Sequence, residues 1–296
     1  MTAAEIAVAR PTLDTDTGPA ERRQGGVRRA LVYLILAVLA ILVVFPYLWM
    51  ISASLKPLSE VFAPGLWPSP IKWSNYADVF RETEYVWWLI NSSIVTGLAI
   101  TAVAFSSAMI AYPFAKLNFP GKRIFFAMIL ATMLLPGEVT MVPVFLIWRK
   151  LDLINTLFPL WVPNLFGSAF YIFLIRQFYL TIPNDLKEAA LLDGASHFRV
   201  FWTIMLPLVR PAIVTVLLFE FVAKWNDYLT PLIYLNDPKK YTLAVGVASF
   251  LKQPGLESRW DLWMAGSVMM TLPTIILFFL AQKQFIEGIA AGAVKG

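Results

Sequence analysis

The sequence contains no cysteine and a single histidine, His197, and only 15% of its 296 residues are charged. Without cysteine there is no disulfide framework, no thiolate zinc site and no Cys/His nucleophilic pair. His197 has no second ligand near it in sequence, so it reads as a contact or surface residue rather than a metal ligand or catalyst. A phosphate-cradling G-x-x-x-x-G-K-[ST] element is also missing. Gly121-Lys122 is followed by Arg123, and Lys116 stands where the first glycine belongs. Any ATP hydrolysis coupled to this chain must come from another one.

What is present is apolar sequence. Hydrophobic residues make up 58% of the chain and the mean hydropathy is +0.67, well beyond a soluble domain. The net charge of +5 raises nucleic acid as a partner, but the sparse charges leave no contiguous basic face to track phosphates. A hydrocarbon core about 30 Å thick needs roughly 20 helical residues. Leu31 to Ser52 meets that length without a charge. Arg28 and Arg29 before it resemble a signal-peptide flank, yet the apolar run is too long for one and is expected to stay as a first helix. Further candidate spans are Leu89 to Ala111, Ile124 to Trp148 interrupted at Pro136-Gly137-Glu138, Leu157 to Ile175, Ala212 to Tyr234 and Trp263 to Ala281. The expectation is an all-α membrane protein with about six transmembrane helices.

Orientation follows from Lys and Arg. With the N-terminus in the cytoplasm, 14 of the 24 fall in cytoplasmic segments and nine in external ones, Lys224 remaining inside the fifth span. The short connection holding Lys116, Lys122 and Arg123 has no opposing acid, and an even span count returns the C-terminus to the cytoplasm. Residues 1–27 are polar and rich in Pro and Gly, which predicts a disordered cytoplasmic tail before a transmembrane domain over 28–296. The external segment from Ala53 to Tyr85, with Trp67 and Trp73, is expected to lie partly ordered at the interface.

Between the fourth and fifth spans lies a cytoplasmic stretch over 177–211, too long for a simple connection. Asp185 is placed to cap a short helix with Glu188 in capping-box position. Asp193-Gly194 breaks it, because glycine readily takes positive φ. Ser196 is placed to cap a second short helix that Leu206-Pro207 ends. Ala189, Ala190 and Ala195 keep this knob small, while Leu191, Leu192, Phe198, Phe201 and Trp202 supply apolar anchors. On physics alone it is either a docking element or an amphipathic hairpin lying on headgroups.

The spacing of Glu188-Ala189-Ala190, Gly194 four residues on, and then Ile204, Leu206 and Pro207 resembles the E-A-A, G, I-x-L-P signature of bacterial ABC-importer permeases. Trp225-Asn226-Asp227, Pro231-Leu232, Tyr241 to Gly246 and the ending Gly288 to Gly296 are similar to the maltose-type carbohydrate branch, so the resemblance covers residues 30–296. It implies a type I ABC importer permease fold in a bacterial cytoplasmic (inner) membrane. It also implies a coupling loop in which Glu188, Ala189, Ala190, Asp193, Gly194, Ala195, Ile204, Leu206 and Pro207 meet a separate ATPase. The partners it implies are a homologous second permease subunit in a heterodimer, two ATP-binding subunits carrying ATP and Mg, and an extracytoplasmic solute-binding protein. No cofactor is expected on this chain itself, and the solute would be a sugar or sugar-like molecule.

Charges at membrane depth are costly, at least about 2.5 kcal/mol each on insertion scales, which makes Glu138, Glu220, Lys224 and Asp227 site candidates. Glu220 and Lys224, spaced i, i+4, are expected to neutralise each other. Asn226 and Asp227 beside Trp225 and Tyr228 suit a sugar pathway, polar groups holding hydroxyls while aromatic faces cover C–H surfaces. Asn91, with Ser92 and Ser93, opens the second span and either lines the external mouth or packs helices. An intramembrane enzyme would need converging acids, bases or nucleophiles, which this sequence does not offer. A stand-alone channel or scaffold would leave the loop signature without a purpose.

Overall fold

A computed structural model describes the backbone of residues 19–293 and the side chains of residues 29 and 31–282. Among the described residues every regular element is helical. The chain divides into two units, residues 1–50 and 51–296. Helix α1 (Pro19–Ser54) supplies the first and runs on into the start of the second. From Leu31 to Ser54 it is apolar all round, and its 24 residues outreach the hydrocarbon core. The tail expected over 1–27 falls on residues 1–18, which lie outside the described residues, and on 19–27, whose backbone opens α1.

In the second unit α2 (Ser74–Glu82) precedes α3 (Tyr85–Lys116), which extends beyond the expected span at both ends. Helices α4 (Lys122–Thr132) and α5 (Gly137–Lys150) meet at 95°, where Pro136-Gly137 interrupts the third span as expected. The fourth span is broken rather than continuous. A short α6 (Phe158–Trp161) runs into a 3-10 turn over Val162–Phe166, Gly167 takes φ +78°, and α7 (Ala169–Thr181) follows. Pro163 removes a backbone donor there and Gly167 takes a left-handed φ, and the chain leaves regular α-helix between Trp161 and Ala169.

The stretch over 177–211 forms α8 (Asp185–Leu192) and α9 (His197–Leu208). Helix α9 meets α10 (Arg210–Trp225) at 73°. The fifth span was expected to reach Tyr234, but α10 stops at Trp225 and α11 (Leu229–Tyr234) is separate. Asp227 explains the break, because its Oδ1 accepts the Thr230 N–H at 3.1 Å and starts a new helix. After α12 (Leu243–Ser249) comes α13 (Trp260–Ala293). Among the described residues Leu31–Ser54, Tyr85–Lys116, Trp260–Gln282 and the interrupted run Phe158–Thr181 are each long and apolar enough to cross a membrane, and counting each bent pair as one span brings the number to six.

Three buried clusters hold the second unit together, and α3 contributes to all of them. One side of α3 packs Val103, Ala108 and Tyr112 against Ile175 and Tyr179 of α7 and Ala212 and Val216 of α10. Small residues such as Ala99, Ala104, Ala108 and Ala111 let the backbones approach closely, as transmembrane packing requires. Toward its start, Tyr85 and Trp88 join Leu243, Phe250 and Leu262. The segment over 53–85 is ordered, with a 3-10 turn over Leu58–Glu60 before α2. Buried Lys56 donates to Ala63 O at 3.0 Å and Gly65 O at 2.8 Å, and Asn75 Nδ2 donates to Ser54 O and Lys56 O, both at 2.9 Å. Trp67 and Trp73 stay exposed, in keeping with interfacial anchors. Arg259 donates to Asp261 through Nε and Nη2 and to Glu82 through Nη1, so the start of α13 is tied to the end of α2.

Gly246 of α12 lies against the indole of Trp88, and a Cβ there would fall 2.1 Å from a ring carbon. Trp88 is fully buried and its Nε1 donates to Pro238 O at 2.8 Å, so the ring has nowhere to go. Gly246→Ala is expected to destabilise the unit by about 1–3 kcal/mol. Thermal unfolding of the detergent-purified chain checks this, and an unchanged midpoint would show that the ring can yield.

Candidate functional site

The hairpin of α8 and α9 is closed by backbone chemistry. At the end of α8 the Gly194 N–H donates to Leu191 O and the Ala195 N–H donates to Ala190 O, both at 3.0 Å, while Gly194 sits at φ +83°. This pair of bonds is a Schellman motif, with Ala190 three residues inside the helix end, Gly194 as the left-handed residue and Ala195 after it. The four-residue step from Ala190 to Gly194 is the step this closure needs. Ser196 then caps α9 as expected, its Oγ accepting the Arg199 N–H at 3.2 Å.

Two local expectations change. Asp185 does not cap α8; it is the first helical residue, with Asn184 at the cap position and no side-chain cap bond. The Asn184 side chain instead accepts a bond from Lys116 at 3.0 Å. Nor does Pro207 end the second helix, which continues to Leu208. Proline has no N–H for the i−4 carbonyl, and the chain answers by widening into a π-turn over Phe201–Met205, in which the Leu206 N–H reaches back to Phe201 O.

The residues expected in the coupling joint separate into two sets. Glu188, Ala189, Asp193 and Gly194 are exposed, and a Cβ on Gly194 would meet nothing within 4 Å. Leu192 at 89% and Phe198 at 66% exposure stand beside them. Ala190, Ala195 and Leu206 pack instead on the cluster formed by α3, α7 and α10, and Ile204 and Pro207 are half-buried. Trp202 stacks on Phe105 of α3 with ring centroids 5.4 Å apart. The hairpin therefore has a locked base and an open crown. His197 is exposed on that crown, and no group of metal-ligating residues occurs among the described residues.

The residues expected to line a pathway do not form one constellation. Asn91 is buried and its Nδ2 donates to Lys239 O at 2.9 Å and Tyr241 O at 3.0 Å. Trp225 is 5% exposed, donates to Met270 O at 2.9 Å and stacks on Phe221. Their polar groups are occupied by backbone. Asn226 is exposed and bonds its own helix at Val222 O, Asp227 is half-buried at its cap, and Tyr228 is exposed. Those three sit together at the break between α10 and α11.

Glu220 and Lys224 do not neutralise each other. Glu220, 7% exposed, accepts a hydrogen bond from Asn164 Nδ2. Lys224 donates to Leu160 O at 3.2 Å. Both reach across to the fourth span, Lys224 to a backbone carbonyl and Glu220 to a side-chain amide. The charges of Glu220 and Lys224 are visible in the sequence, but no spacing rule points to Asn164, 56 residues away from Glu220.

Residues 102–283 match the family described as binding-protein-dependent transport system inner membrane component. The arabinooligosaccharides transport system permease protein AraQ of Bacillus subtilis is 36% identical over 279 residues, spanning 92% of this chain and 98% of that protein. The trehalose transport system permease protein SugB of Mycobacterium tuberculosis is 34% identical over 274 residues, spanning 92% and 100% respectively. A chain of a bacterial ABC transporter involved in the import of the acidic polysaccharide alginate superposes with a TM-score of 0.78 at 25% identity, covering 90% of this chain and 98% of that one. The chain thus belongs to the binding-protein-dependent transport system inner membrane components, and its all-helical architecture is that of a type I ABC importer permease subunit.

Proposed function

We propose that this subunit moves a sugar or sugar-like solute across a bacterial cytoplasmic membrane by alternating access, driven through the hairpin by a separate ATPase. The observation that carries this reading is the division of the hairpin into a base buried among α3, α7 and α10 and a crown of Glu188, Ala189, Asp193, Gly194, Leu192 and Phe198 that is exposed among the described residues. A knob fixed at its base transmits a push as a rigid-body displacement, which a flexible loop would absorb. The 73° and 95° joints are where neighbouring spans can change their angle. The sugar class is supported by what AraQ, SugB and the alginate transporter are named for.

In this reading the chain pairs with a homologous second permease and sits on two ATP-binding subunits that hold ATP and Mg. It receives solute from an extracytoplasmic binding protein. Both termini face the cytoplasm, which puts the hairpin and the Lys116–Arg123 connection on the ATPase side. Asn226, Asp227 and Tyr228 lie at the helix break and offer the solute an amide, a carboxylate and an aromatic face.

Gly194→Asp is expected to leave the chain inserted, since the site faces open space, but to reduce ATPase co-purification and uptake by about tenfold, equivalent to roughly 1.4 kcal/mol at the joint. His197→Ala should be mild in the same assays. Normal uptake by the Gly194 variant would remove the coupling role and leave a stand-alone channel or scaffold as the better description. Asp227→Ala should alter uptake kinetics while the complex still assembles. If kinetics stay at wild type, Asp227 serves only its cap on Thr230.

A further inference from the structure

Three cations from three helices converge on the last turn of α3. A helix C-terminus leaves carbonyls without intrahelical donors and carries roughly half a negative charge. Arg176 Nε of α7 donates to Phe114 O at 3.0 Å, Lys187 Nζ of α8 to Lys116 O at 3.1 Å, and Lys122 Nζ of α4 to Leu117 O at 2.7 Å. Among the described residues none of these groups, nor Lys116, is ion-paired with a carboxylate. The helix end is their counter-charge.

Lys116 itself points the other way. It is 7% exposed, and its ammonium donates to Ile182 O and to Asn184 Oδ1, the segment by which the chain enters the hairpin. So α3 holds the entrance of the hairpin through Lys116, and the hairpin holds the end of α3 through Lys187. Two crossed bonds of this kind resist both sliding and separation, which apolar packing alone does not, being non-directional.

At its other end α3 is bonded as firmly. Trp88 Nε1 donates to Pro238 O at 2.8 Å, Asn91 Nδ2 to Lys239 O and Tyr241 O, and Ser92 Oγ accepts the Leu243 N–H at 2.7 Å. From Ser92 to Lys116 the helix covers about 36 Å, more than the hydrocarbon thickness of about 30 Å. One continuous helix therefore links the hairpin to the segment over 238–243 on the opposite side.

We propose that Lys116 and Lys187 form a reciprocal latch that makes α3 a transmission rod between the hairpin and the external 238–243 segment. This rests on the coupling reading above and adds its route. Both lysines are positioning residues, in contact with neither solute nor nucleotide.

The test uses the complete complex in proteoliposomes, with solute-loaded binding protein supplied on the external side. ATP hydrolysis with and without binding protein is measured together with solute imported per ATP. Lys116→Met and Lys187→Met are expected to keep ATPase co-purification and hydrolysis without binding protein, while stimulation by loaded binding protein and import per ATP fall about fivefold or more. Lys116→Arg should retain both. Trp88→Phe, at the far end of α3, should reproduce the loss. Wild-type stimulation and import per ATP in the two methionine variants, or in Trp88→Phe, overturn the rod. Should Lys116→Met fail to assemble, Lys187→Met decides, because its half-exposed side chain leaves no buried void. Gly194→Asp is run in parallel. If it behaves as wild type, the coupling reading itself falls; if it fails while the lysine variants are normal, only the latch falls.

Discussion

Residues 51–296 depend on the burial of one helix. Sixteen residues of α3 are buried, and their partners come from α6, α7, α9, α10, α12 and α13. In lipid this burial is not driven by escape from water, because the tails around the bundle are as apolar as the side chains inside it. It is driven by close packing of Ala and Ser faces and by bonds from polar side chains to neighbouring backbone. Asn91, Ser92, Ser106, Ser107 and Lys116 all spend their polar atoms that way. These five polar residues of α3 are thus fastenings to neighbouring elements.

The same rule accounts for the breaks. Where a span opens, carbonyls and amides become available, and the charged residues of adjacent helices are found against them. Lys224 meets Leu160 O, and Glu220 meets Asn164 in the 3-10 turn. The i, i+4 spacing of Glu220 and Lys224 made mutual neutralisation the natural expectation, but it treated α10 as if it were alone. Polar groups of the neighbouring span, one backbone carbonyl and one side-chain amide, took the place of the intrahelical partner.

The parts legible in the sequence were those written by local chemistry. Gly194 announces a left-handed turn because other side chains resist that backbone, and Ser196 announces a cap because its oxygen can reach the next free N–H. The interruption at Pro136-Gly137 was equally plain. What escaped were choices settled across the chain. Asn184 rather than Asp185 stands at the cap position, and its side chain is bonded to Lys116, 68 residues earlier, instead of to α8. Trp225 looked like a sugar platform from its neighbours Asn226 and Asp227, but burial against α13 turned its indole inward. The end of the fifth span was misplaced because Leu229–Tyr234 is apolar enough to continue it, and only the Asp227 cap shows that the helix restarts.

The joint between α9 and α10 has one further property. Pro207 and Pro211 lie on either side of it and neither has an N–H to give, while the π-turn just before has already traded regular bonds for wider ones. A bend costs energy in proportion to the hydrogen bonds it strains, and fewer regular backbone bonds oppose one over these few residues than in the helices beside them. Force applied to such a chain does not spread evenly. It concentrates as rotation at the weak section and leaves the shafts straight, much as a hinge lets a door turn without flexing its panel.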